Sequence, residues 1–191
     1  MPPVDTPQPL DQPQTDRSQR WKPFVVVATL ALVLIAVVVV VVVRTRSNDS
    51  ARSRLAARQA QVEANGQRVM PFDQNRTTHR FTKTATGGVE KVSANDPADT
   101  GQATLVQSHL EHEQQLFSKG DFSDPMAIHG MAMPGIDDLR QGAIDGNLKV
   151  GYEVLPSGAQ LTYTASDPQL VSAIHQWFDA QLMDHGTHAT G

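Results

Sequence analysis

From Phe24 to Val43 every position except Thr29 is apolar, and eleven of the twenty residues are Val. At 1.5 Å rise per residue such a run reaches across the hydrocarbon core of a bilayer, about 30 Å. Lipid forces the backbone to satisfy its own hydrogen bonds, so the pattern predicts one transmembrane helix over residues 24–43. The run ends in Arg44-Thr45-Arg46 with no small-residue cleavage pattern, which reads as an uncleaved anchor rather than a signal peptide. Residues 1–23, rich in Pro, Gln, Asp and Thr, have too little apolar surface to offset their ordering entropy and are expected to form a disordered tail. Residues 44–69, rich in Ala, Arg and Gln, read as a basic helical stalk that meets anionic lipid headgroups or serves as a solvated linker.

Beyond Met70 the pattern alternates and then becomes helical, twice. Thr78–Thr84 and Val89–Ser93 alternate around the Ala85-Thr86-Gly87-Gly88 turn signal, which predicts a hairpin. Asn95-Asp96-Pro97 then opens a helix that runs to Lys119 and stops at Gly120. Leu148–Val154, Pro156-Ser157-Gly158 and Gln160–Thr164 repeat the hairpin. Ser166-Asp167-Pro168 opens a second helix, which closes at Asp184-His185-Gly186. Val106, Leu110 and Phe117 mark the buried stripe of the first helix, and Leu170, Ile174, Phe178 and Leu182 that of the second. The expected fold is α+β: duplicated ββα units form a four-stranded antiparallel sheet with two helices on one face, preceded by the transmembrane helix. Superposing the two halves sets His109 opposite His175. The long connector 121–147 is expected to carry function, with a short helix over Ile136–Ala143.

Charge narrows the function. The whole chain carries −4, but residues 70–191 hold seven Lys and Arg against fifteen Asp and Glu, a local balance of −8. That argues against nucleic acid, whose phosphates require clustered cations. The absence of Cys excludes disulfides, thiolate metal sites and thiol catalysis. No Gly-x-Ser-x-Gly elbow, P-loop or dinucleotide fingerprint is present. Asp137-Asp138 and Asp121/Asp124 read as caps and solvated loops.

All seven His and five of the six Met lie in residues 70–191. In the connector His129, Met131 and Met133 alternate, and imidazole together with thioether suits copper. His109 and His112 share a helix face and could ligate zinc or copper with further residues; packing and exposed helix positions are the alternative roles. His185 and His188 flank Gly186 at the chain end. Haem is a further possibility, since His and Met serve as axial ligands.

Met70-Pro71-Phe72-Asp73, Thr77-Thr78-His79-Arg80-Phe81, Gly120-Asp121-Phe122-Ser123-Asp124-Pro125, Ile128-His129-Gly130, Met133-Pro134-Gly135 and Trp177-Phe178-Asp179-Ala180-Gln181-Leu182 form a specific set of words. Over roughly residues 60–188 the chain resembles a small bacterial domain family whose members often carry the label aspartate carbamoyltransferase. The Ser-Thr-Arg-Thr and His-Pro-x-Gln strings of that enzyme's catalytic chain do not occur here.

The expected protein is thus a cell-membrane, single-pass, non-enzymatic ligand- or metal-binding domain. His129, Met131, Met133 and His112 would be metal ligands, and His109 and His175 would line the same cavity for a cofactor, copper or haem. Its lipid contact is residues 24–43. Arg17, Arg20 and Lys22 precede that run, and Arg44, Arg46, Arg52, Arg54 and Arg58 follow it. Read alone, this bias places the C-terminal part in the cytoplasm. Domains of this length often translocate regardless, and the His and Met chemistry favours an extracytoplasmic domain. The alternatives are an interaction module of a cell-envelope complex and, third, a carbamoyltransferase-type enzyme.

Overall fold

The computed structural model describes the backbone of residues 22–130 and 133–191, and side chains for Leu34, 36–130 and 133–191. The chain divides into two compact units, Met1–Ala51 and Arg52–Gly191. Helix α1, Lys22–Val69, contributes to both. In the first unit Leu34 and Val37–Val43 are exposed on this helix. The expected transmembrane helix has no counterpart among the described residues, where no helix is long and apolar enough to cross a membrane. The reason is local. Past Val43 the helix turns charged, at Arg44, Arg46 and Asp49. The expected tail, 1–23, lies almost wholly outside the described residues.

In the second unit the end of α1 leads into β1 (Thr77–Thr84) and β2 (Gly87–Ala94). Helices α2 (Thr100–Phe117), α3 (Ser123–His129) and α4 (Ile136–Ile144) follow. The chain ends with β3 (Lys149–Leu155), β4 (Gly158–Thr164), α5 (Pro168–His185) and β5 (Ala189–Thr190). The strand order is β3-β4-β2-β1-β5.

This corrects the expected four-stranded antiparallel sheet with two helices. The sheet has five strands and is mixed, because β5 runs parallel to β1 with His79 opposite Ala189 and Arg80 opposite Thr190. A two-residue strand carries no periodicity and leaves no sequence signal. The first Asp-Pro signal also acts differently from expectation. Asp96 caps a turn through Ala98 N, and Asp99 is the N-cap of α2, accepting from Gln102 N at 3.2 Å. α5 starts at Pro168 behind Asp167, which accepts from Gln169 N at 2.9 Å.

Alternation in the strands turns Phe81, Val92, Ala159, Leu161 and Tyr163 into the core, where they meet Val106, Leu110 and Phe117 of α2 and Ile174, Trp177 and Phe178 of α5. Trp177 stands edge-on to Phe117, Phe122 and Tyr163, with ring centroids 5.9, 5.8 and 5.2 Å away. Such contacts add to the apolar area that these large rings remove from water. Gly158 lets β4 pass close to β2: a Cβ there would lie 2.1 Å from the Val92 carbonyl oxygen. The last turns of α1 pack within this unit too, with Val62 1% exposed and Asn65 donating to the Ile128 carbonyl at 2.8 Å.

Candidate metal centre

Polar side chains interrupt the core along one line. On α2 the buried stripe reads Val106, Leu110, Glu113, Phe117, and on α5 it reads Leu170, Ile174, Phe178, Gln181, His185. On β1 the inward alternation places His79 between Thr77 and Phe81. A polar residue at a core position is the informative exception to burial rules. These exceptions meet in a cavity of about 40 Å³. Its polar lining comprises His79, Glu90, His109, Glu113, His129, Gln181 and His185, and Met70 and Trp177 also face it.

The imidazoles touch one another. His79 and His185 stack with centroids 5.1 Å apart and planes 7° from parallel, and His129 stands edge-on to His185 at 5.3 Å. Phe72 separates His79 from His109, with centroids 5.8 and 5.6 Å away. His129 Nδ1 lies 2.6 Å from Asp184 Oδ2, and its Nε2 lies 2.9 Å from Gln181 Oε1. Asp184 is gripped by both Arg58 Nε and Nη2. Both ring nitrogens of His129 face acceptor oxygens, so a neutral ring that donates Nδ1–H to Asp184 has its lone pair on Nε2 only with the Gln181 amide turned to present its NH₂ group there. A carboxylate behind an imidazole is the arrangement that orients metal-ligating histidines.

Burial sets the protonation states. It lowers His79 to about 3, aided by His109 and His188. It lowers His109 to about 4 against the attraction of Asp124. His185 is held well below its ordinary range by burial and by the other histidines. Burial also lowers His129, outweighing its bond to Asp184. At pH 7 all four imidazoles are neutral, the form that ligates metals. The carboxyls move the other way. Burial raises Glu90 to about 7, opposed by the hydrogen bond from Tyr163 Oη at 2.9 Å, and burial with Asp124 raises Glu113 to about 9. His79 Nδ1, Glu113 Oε1 and Trp177 Nε1 are buried without a hydrogen-bond partner.

The structure brings His109 and His129 to one cavity and keeps His112, His175 and Met133 out of its lining. His112 is exposed on α2. His175 Nε2 reaches the Thr84 and Gly87 carbonyls at 3.1 and 2.9 Å, so it ties α5 to the β1–β2 turn. Met133 is buried in the hydrophobic core, and Met131 lies outside the described residues. The cavity's thioether comes from Met70 instead. His79, Glu90, Glu113 and Gln181 carry no ligand signal in the sequence motifs, whereas His185 is one of the histidines able to complete a site with His109 and His112. Their signal was present all the same: polar residues on the inward alternation of β1 and β2 and on the apolar stripes of α2 and α5.

Haem does not fit, since ligand pockets of that order measure about 300 Å³ or more. An ion with a water-sized companion does. Among the described residues no three His, Asp or Glu side chains already converge as a metal-binding group. Coordination thus requires the stacked pair to part. No Lys or Arg lines the cavity, so it holds no counter-charge for a phosphate substrate. Arg76, Lys83 and Arg140 are paired with Asp99, Asp179 and Asp137 at separate places.

No protein-family model, curated protein or solved structure matches the chain.

Proposed function

We propose that the second unit is a non-enzymatic transition-metal-binding domain, with copper as the favoured ion and the histidine cavity as its site. One observation carries this reading: four neutral imidazoles line a single small buried cavity in which His79 Nδ1 and Glu113 Oε1 lack partners. His129, backed by Asp184 and Arg58, supplies Nε2. His79 and His185 supply further nitrogens once their stack opens. The Met70 thioether makes the set soft enough to favour Cu(I) over harder cations. The raised carboxyl of Glu113 adds a proton that an arriving cation would displace, so uptake releases protons.

The domain is tethered to the cell membrane through the apolar run 24–43, a single N-terminal span, with the domain outside the cytoplasm. The composition of that run and the exposure of Val37–Val43 support the tether. A second reading, an interaction module of an envelope complex, draws on β3, an outer strand of the sheet with Val154 58% exposed.

Metal analysis of the full-length untagged chain in detergent tests the metal reading. It is loaded with Cu(I), Cu(II) or Zn(II) and desalted against a competing chelator. One equivalent of copper in the native chain, absent from a His79→Ala, His129→Ala variant that keeps its far-ultraviolet circular dichroism, is expected. A folded native chain that emerges empty from all three loadings overturns the reading.

A further inference from the structure

A second, open cavity of about 240 Å³ adjoins the first. Its walls come from the last turns of α1, including Gln59 and Glu63, from Gln74, and from His185, Thr187 and His188 at the C-terminal end. Among the described residues His185 alone lines both cavities. It is 7% exposed and stacks on His79 within the inner cavity. No Lys or Arg lines the outer cavity. The nearby guanidinium of Arg58 is occupied by Asp184, which also holds His129. His188 Nδ1 donates to the Gln74 carbonyl at 3.1 Å, which fixes the tautomer with a lone pair on Nε2. Gln74 Oε1, also on this wall, is buried without a partner. The outer cavity therefore offers a cation a carboxylate, an imidazole nitrogen and an amide oxygen, with no like charge on its lining.

From this juxtaposition we infer that the outer cavity is the route by which a transition-metal cation reaches the histidine site: Glu63 and His188 capture it, and His185 passes it inward. The inference rests on the metal reading above and adds a path to it. His185 sits at the last residue of α5, and Gly186 follows with φ +54°, a conformation that L side chains rarely adopt. A Cβ at Gly186 would stand 3.0 Å from the Gln59 amide. The turn directly after His185 is thus one that glycine alone fits without strain. Rotation of His185 away from His79 does two things at once. It opens the partition between the cavities, and it turns a stacked, non-converging pair of rings into separate ligands. Asp184, locked by Arg58 and His129, keeps its place while its neighbour moves.

Stopped-flow mixing of the full-length chain in detergent with Cu(II) alone tests the route. The chain has two Trp, so a Trp21→Phe background leaves Trp177 as the sole indole, and that indole faces the inner cavity. Cu(II) arriving there quenches its emission. In a Glu63→Gln, His188→Ala variant the quenching is expected to slow by about tenfold, the lower range for a charge-lined cleft that concentrates its ion, while the final copper content stays at the native value. Quenching at the native rate in that variant overturns the route. A reduced copper content at equilibrium also overturns it, because Glu63 or His188 would then be a ligand of the final site. Zero quenching amplitude in the native chain overturns the route, and only together with empty Cu(I) and Zn(II) loadings does it remove the metal reading itself.

Discussion

Replacing Glu113 by Gln should strengthen the metal-free fold, and increasingly so as pH rises. The side chain occupies the core stripe of α2 and is 7% exposed. Its Oε1 has no hydrogen-bond partner, and His109 Nε2, 3.9 Å away, belongs to a ring held neutral down to about pH 4. Burial, followed by neighbouring Asp124, raises the carboxyl from 4.5 to about 9. In the unfolded chain the same carboxyl ionises near its ordinary value. Between pH 4.5 and 9 the native state keeps a proton that the unfolded state releases, so stability from this group is present at low pH and is lost as pH rises. The slope is about 1.4 kcal/mol per pH unit, and from pH 5 to pH 8 it accumulates to about 4 kcal/mol. Gln has the same shape and does not titrate. Its amide brings unmet hydrogen bonds, a pH-independent penalty of about 1–3 kcal/mol. Urea unfolding followed by circular dichroism, with a chelator present, measures both chains at pH 5, 6, 7 and 8. The variant's stability relative to the native chain should climb steadily across the series. A difference that stays flat with pH would mean that Glu113 titrates normally, and would refute the claim that its burial strains the fold.

His79→Phe probes the opposite sign. Burial lowers the imidazole from 6.5 to about 3, so its contribution is intact above pH 6.5 and drains away as pH falls toward 3. The variant should gain about 1.4 kcal/mol per pH unit over the native chain in that window; an unchanged acid-unfolding midpoint would count against it. Asp184→Asn removes the carboxylate shared by Arg58 and His129 and should lower the urea-derived stability by about 3–5 kcal/mol, while a loss below 1 kcal/mol would mean that the pair is not buried in solution. Gly158→Ala places a Cβ against the Val92 carbonyl and should destabilise by more than about 1 kcal/mol, visible as a lower melting temperature.

Much of the second unit can be read from local chemistry. Gly87-Gly88 and Ser157-Gly158 mark both hairpin turns, and Asp167-Pro168 marks the start of α5. Local chemistry misplaces the start of α2, because Asp96 and Asp99 are both competent caps and only packing selects between them. It is silent on β5 and on α3, each too short to show a period. The copper expectation leaned on residues adjacent along the connector, His129, Met131 and Met133. The cavity instead recruits residues distant in sequence and adjacent in space. His109 and His129 could be named as chemically able. That they share a cavity with His79 and His185 depends on the register of β1 against the helices, which no single segment encodes. The more useful clue was a conflict of levels: Glu113, Gln181 and His185 occupy positions where the helical period calls for apolar side chains.

The parallel pairing of β5 with β1 has a consequence for how the protein comes into being. Of the five strands of this sheet β1 is made first and β5 last, and the cavity draws Met70 and His79 from the start of the unit and His185 from near β5. A growing chain holds no such site, however many histidines it has already exposed. Contacts of this sequence separation also form late and slowly in folding. Any ion seated in the cavity would therefore have been taken up after β1 and α5 had come together in the folded unit.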